Sequence, residues 1–128
     1  MRKHLIALVT VTLLACSAQV MAADLSTDMD TIADNYGKIM KTSDAKAFTD
    51  GLAKMKAAAL DAKNDTPDKL KGKAPDSPEI KDYHHGLDTL IGQIDKAAEL
   101  AKAGKLDQAK KEAEGFKATR NENHKKFK

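Results

Sequence analysis

SPEIKDYHHGLDTLIGQIDKAAELAKAG, residues 77–104, is the stretch whose reading decides the fold. Ser77 followed by Pro78 is a helix start. The serine oxygen accepts from backbone N–H groups that the first turn leaves free, and proline at the first helical position gives up a donor the helix does not use. Behind that start Tyr83, Leu87, Leu90, Ile94, Ala97 and Ala101 recur every three or four residues, which lays one apolar stripe along a helix. Gly104 stops it, since glycine accepts the left-handed backbone that closes a helix.

The same period appears on both sides of this segment. Leu25, Met29, Ile32, Tyr36 and Ile39 predict a first helix over 24–41. Phe48, Leu52, Met55, Ala59 and Ala62 predict a second over 45–64, opened by Ser43 or Asp44 as a cap. Leu106, Ala109, Ala113 and Phe116 predict a fourth over 106–127, in which the next two members of the stripe are Arg120 and His124. Beyond residue 22 the chain has no valine, no tryptophan and no alternating apolar pattern, so no strand is expected. The links at 42–44 and 104–105 are short, which makes neighbouring helices antiparallel. The link at 65–76, with Pro67, Gly72 and Pro75, is longer. The expected fold is all-α, an antiparallel up-down-up-down four-helix bundle.

The first 22 residues read differently. Arg2 and Lys3 precede an apolar run from Leu5 to Leu14, and Val20-Met21-Ala22 offers small residues where a signal peptidase cuts. The expectation is a signal peptide over 1–22, one small domain over the remaining 23–128, and export to the periplasm. The run is too short to span a membrane comfortably. Cys16, the only cysteine, lies inside this segment, where Leu13-Leu14-Ala15-Cys16 loosely resembles a lipoprotein box; lipidation is the alternative to plain cleavage. After the cut there is no thiol left for disulfides or Cys-ligated metals. Residues 23–128 carry 20 basic and 19 acidic side chains, a net charge of +1, without the excess positive charge of a nucleic-acid binder. A Ser/His/Asp set, a glycine-rich phosphate loop and a His-Glu-x-x-His motif are all absent, so no enzyme is expected.

Topology brings two residues together. In an up-down-up-down bundle the start of helix 1, the end of helix 4 and the long middle link share one end. Met29 lies roughly 7 Å into helix 1 at 1.5 Å per residue, and His124 lies at a similar depth from the end of helix 4. Both fall on core phase, so a thioether and an imidazole meet at one level. That pair suits the axial positions of a haem iron: methionine sulfur favours the ferrous state, and histidine serves both oxidation states. Each residue also has a plain reading, Met29 as a core methionine and His124 as a cation at a helix C-terminus. Met40 and Met55 are read as core. His84 and His85 are adjacent, point about 100° apart and are read as exposed.

Several stretches resemble cytochrome b562. Ala23-Asp24-Leu25 is similar to the start of that family, and the run Met55-Lys56-Ala57-Ala58-Ala59-Leu60-Asp61-Ala62 to its second helix. Closer still are Pro75-Asp76-Ser77-Pro78-Glu79, Lys81-Asp82-Tyr83, His85-Gly86 and Gly92-Gln93-Ile94-Asp95, and Thr119-Arg120-Asn121 with His124 matches the closing segment. The resemblance covers essentially all of 23–128. It implies Met29 and His124 as the ligands of one b-type haem held without thioether bonds, in keeping with the lack of a Cys-x-x-Cys-His motif. It implies a pocket containing Ile32, Met55, Pro67, Tyr83, Leu87, Phe116, Thr119 and Arg120. It also implies a periplasmic, monomeric carrier of single electrons between donor and acceptor proteins. Depth along the helices sets Tyr83 level with the ligands and sets Leu87 and Met55 deeper. The chain departs from the family at Leu87 and Asn123, where aromatics are the pattern. Arg120 reads either as a charge at the haem edge or as a solvated cation, and Lys128 either as a propionate partner or as a free terminus. Two other readings stay open: a haem-free helical binding or chaperone module of the cell envelope, and a copper protein using Met and His.

Overall fold

A computed structural model describes residues 24–128, so the expected signal and Cys16 lie outside the described residues. It contains four helices: α1 (Leu25–Lys41), α2 (Ala45–Ala62), α3 (Pro78–Lys102) and α4 (Leu106–Phe127). Among the described residues there is no strand. The fold is the four-helix bundle that the periodicity predicts.

Local chemistry sets the helix ends. The Asp24 carboxylate accepts from the Thr27 N–H at 2.7 Å, and Asp44, rather than Ser43, caps α2 by accepting from Lys46 and Ala47. Ser77 accepts from the Ile80 N–H ahead of Pro78, as its spacing predicts. Gly104 turns the chain between α3 and α4 with φ +78°, a conformation that penalises any side chain. α2 ends at Ala62, two residues before the sequence expectation, because the Asn64 and Asp65 N–H groups bond back to Asp61 and Ala62 in a turn. The middle link holds a 3₁₀ turn, Asp68–Leu70, that buries Leu70 and packs on α4.

Consecutive helices pack along their lengths, whereas α1 and α4 touch little. The fully buried core is Ile39, Phe48, Leu52, Met55 and Ile94 with alanines 59, 62, 97, 109 and 113. Surface pairs such as Lys56–Asp95 (2.8 Å) and Lys96–Glu112 (3.2 Å) link neighbouring helices, and each exposed pair contributes at most about 1 kcal/mol.

One expectation needs correction. The sequence stripe puts Leu25, Met29 and Tyr36 in the core with Ile32 and Ile39. The structure buries Ile32 and Ile39 together with Asp28 and Asn35, and leaves Leu25, Met29 and Tyr36 only partly buried. The reason is where the neighbours stand. α1 leans its Asp28–Asn35 flank on the rest of the bundle, and its Met29–Tyr36 flank faces the gap towards α4. Asn35 satisfies itself by donating to the Thr31 carbonyl at 2.8 Å. Asp28 is 3% exposed, and its Oδ2 has no hydrogen-bond partner.

Candidate functional site

The gap between α1 and α4 is a cleft of about 850 Å³, closed at the bundle end by the middle link. That volume lies within the range of pockets that hold cofactor-sized ligands. Met29 reaches it from the second turn of α1 and His124 from the last turn of α4. Ile32, Pro67, Tyr83, Leu87, Thr119 and Arg120 line the same cleft. Met55 and Phe116 do not. They are fully buried behind it, around a void of about 20 Å³ shared with Ile32, Leu90 and Arg120. Leu87, set deeper by helix depth alone, is in the wall of the cleft itself.

Each wall is held in place. The Tyr83 hydroxyl donates to the Ala62 carbonyl at 2.6 Å, and its ring meets Phe127 edge-on at 5.5 Å between centroids. Burial, with the nearby Asp65 and Asp28 carboxylates, pushes the Tyr83 phenol up to about 12, so it stays a neutral donor. Thr119 donates to Gln93 Oε1 at 2.8 Å, tying α4 to α3 beside the cleft. Asn123 donates to the Thr119 carbonyl, and its amide rests on Gly86 where a Cβ would collide with it, so the absence of a side chain at 86 makes room for Asn123. Partial burial lowers the His124 pKa, and the positive Arg120 and Lys128 act in the same direction. The imidazole is therefore held neutral near pH 7, with a lone pair to offer.

The residues suit a flat apolar ligand carrying a metal. The cleft receives the apolar flank of α1 while Asp28 is buried behind it, an arrangement that wastes hydrophobic surface unless something apolar covers Met29 and Leu25. A thioether and a neutral imidazole open into the same space. Leu25, Leu90 and Phe127 also line it, although the sequence reading gave them no role in the pocket, and so does Asn123, one of the two positions where the chain departs from the family pattern. The signal was there for Leu25 and Phe127, which stand four and three residues from Met29 and His124. By contrast, among the described residues no three His, Cys, Asp or Glu side chains gather to hold an ion, His84 and His85 included.

Comparison with known proteins decides the family. The sequence profile of cytochrome b562 matches residues 24–128. The chain belongs to the cytochrome b562 family. A Yersinia pestis protein described as "Probable soluble cytochrome b562 2" is 51% identical over 127 residues, covering 99% of each chain. A second from the same organism, "Probable soluble cytochrome b562 1", is 45% identical over 106 residues, covering 83% of this chain and 84% of its own. A protein of Pasteurella multocida described as uncharacterised is 26% identical over 125 residues. Membership of the cytochrome b562 family supports a b-type cytochrome role and implies a b-type haem. No described helix is long and apolar enough to cross a membrane.

Proposed function

We propose that the cleft between α1 and α4 binds one haem b without covalent attachment, with the Met29 sulfur and the His124 imidazole as axial ligands, and that the protein carries single electrons in the periplasm. The observation that carries this reading is that both side chains open into one cofactor-sized cleft whose α1 wall is apolar. When bound, the haem supplies a one-electron ferric/ferrous couple. Met29, as a soft ligand, would favour the reduced state, and His124 serves both states. Met29 and His124 engaged together would keep oxygen and peroxide off the metal, which suits electron carriage better than catalysis. Leu25, Ile32, Leu87 and Phe127 would exclude water from the ring, and Arg120 stands where it could meet a carboxylate at its edge. Donor and acceptor would be redox proteins, and the working unit the single chain, exported through residues 1–22.

Visible absorption of the purified protein before and after dithionite tests the proposal. A six-coordinate haem spectrum in both states is expected, lost in Met29→Ala and in His124→Ala. A colourless protein that ignores added haem would point instead to the envelope binding module. An unchanged spectrum in either variant would overturn the ligand assignment.

A further inference from the structure

The two lips of the cleft carry opposite charge. From its start to Lys38, α1 has acidic residues and no basic one; Asp24 and Asp30 line the cleft, and Asp34 follows one turn on. Across the gap, Lys117, Arg120 and Lys128 stand on the α4 face that carries His124. Asp30, Asp34, Lys117 and Lys128 are exposed. Elsewhere the described surface neutralises itself through pairs such as Lys46–Asp50, Lys56–Asp95, Lys63–Asp88 and Lys96–Glu112, but no described ion pair joins these lips.

We propose that the two lips form a self-complementary surface through which two copies of this chain pair briefly, cleft to cleft. A twofold axis parallel to the cleft exchanges the lips without shifting their level, so the acidic lip of each copy faces the basic lip of the other. The levels agree. Tyr36 meets Phe116 at 6.3 Å between ring centroids, which fixes the register of α1 against α4. Counting along antiparallel helices from that contact puts Asp24 level with Lys128, and Asp34 within one residue, about 1.5 Å, of the level of Lys117. Residues 23–128 carry only +1 net charge, so copies do not repel at a distance. The contact rests on a few exposed charges rather than on a broad apolar surface, which makes the pair short-lived and dependent on charge. The pairing surface is read from the lips alone. Its use rests on the haem reading: two clefts set mouth to mouth let one copy pass one electron to the other, one oxidised as its partner is reduced, with no bond made or broken.

The test is ¹⁵N NMR of the purified protein across a concentration series at about 10 mM and about 1 M salt, where charges reach about 30 Å and about 3 Å. Concentration-dependent shifts should map to 24–34 and 117–128 at low salt and vanish at high salt. D30K/D34K, with two basic lips, and K117E/K128E, with two acidic lips, should each self-associate at least tenfold more weakly. Mixed together they should pair again. Shifts that map elsewhere, persist in high salt, or fail to return in the mixture would overturn the proposal. A colourless protein that still pairs would sink the haem reading alone, and a red protein that never pairs would sink this inference alone.

Discussion

The two ends of the bundle are built on opposite plans. At the end where α1 runs into α2 and α3 into α4, Ile39, Phe48, Leu52 and Ile94 interdigitate with Ala97, Ala101, Ala109 and Ala113, and all are nearly or fully buried. Alanines there let the helices close on the larger side chains. At the other end α1 and α4 stand apart, Leu25, Met29 and Phe127 are only partly buried, and a carboxylate rather than a hydrocarbon sits beneath them. One end is completed by the chain itself. The other leaves apolar surface lining a cleft.

Haem loading should sharpen this contrast most. A ligand that binds only the folded state stabilises it by about 4 kcal/mol when present at about a thousand times its Kd. The gain should appear as a higher unfolding midpoint, with hydrogen-exchange protection rising around 25–33 and 119–127 and little change around Phe48 and Ile94. Equal protection at both ends would erase the distinction.

Truncation reads the same contrast in the haem-free protein. Leu52→Ala empties a closed site and should cost about 3 kcal/mol, whereas Leu25→Ala removes a side chain already at the cleft and should cost about 1 kcal/mol or less. Urea unfolding of the two variants side by side measures the ratio, and similar losses would break the comparison.

Asp28 adds a pH dependence confined to the open end. Burial, reinforced by Asp61, Asp65 and Asp24, raises its pKa from the usual carboxylate value to about 6. The folded state therefore holds this proton more tightly than the unfolded state. The resulting stability is full below pH 4 and is lost as pH rises through about 6, on the order of 2 kcal/mol. Asp28→Asn should flatten that part of the profile and be the more stable protein at pH 7.5. Midpoints at pH 5 and pH 7.5 for both proteins give the answer, and parallel profiles would show that Asp28 is not the group responsible.

A similarly small effect is expected at Tyr83. Tyr83→Phe keeps the ring against Phe127 but strands the Ala62 carbonyl, for a loss of about 1 kcal/mol without haem. Thermal unfolding checks the size, and a neutral result would mean that water replaces the hydroxyl.

Much of this molecule follows from neighbours in the chain. Ser77-Pro78 and Asp44 mark helix starts because a cap bonds within three residues, and Gly104 marks a stop because its backbone angle is a local matter. Four apolar stripes joined by two short links and one long one were enough for the bundle, and the end-to-end path of the chain was enough to bring Met29 and His124 to the same cleft. The tertiary structure alone decided which flank of α1 is spent on protein contacts. Asp28 and Met29 are adjacent, about 100° apart on the helix, and the period cannot say which faces the bundle and which the gap. That choice depends on where α2 and α4 stand, a balance of contacts distant in sequence. It buried a carboxylate, and it left a sulfur facing the cleft.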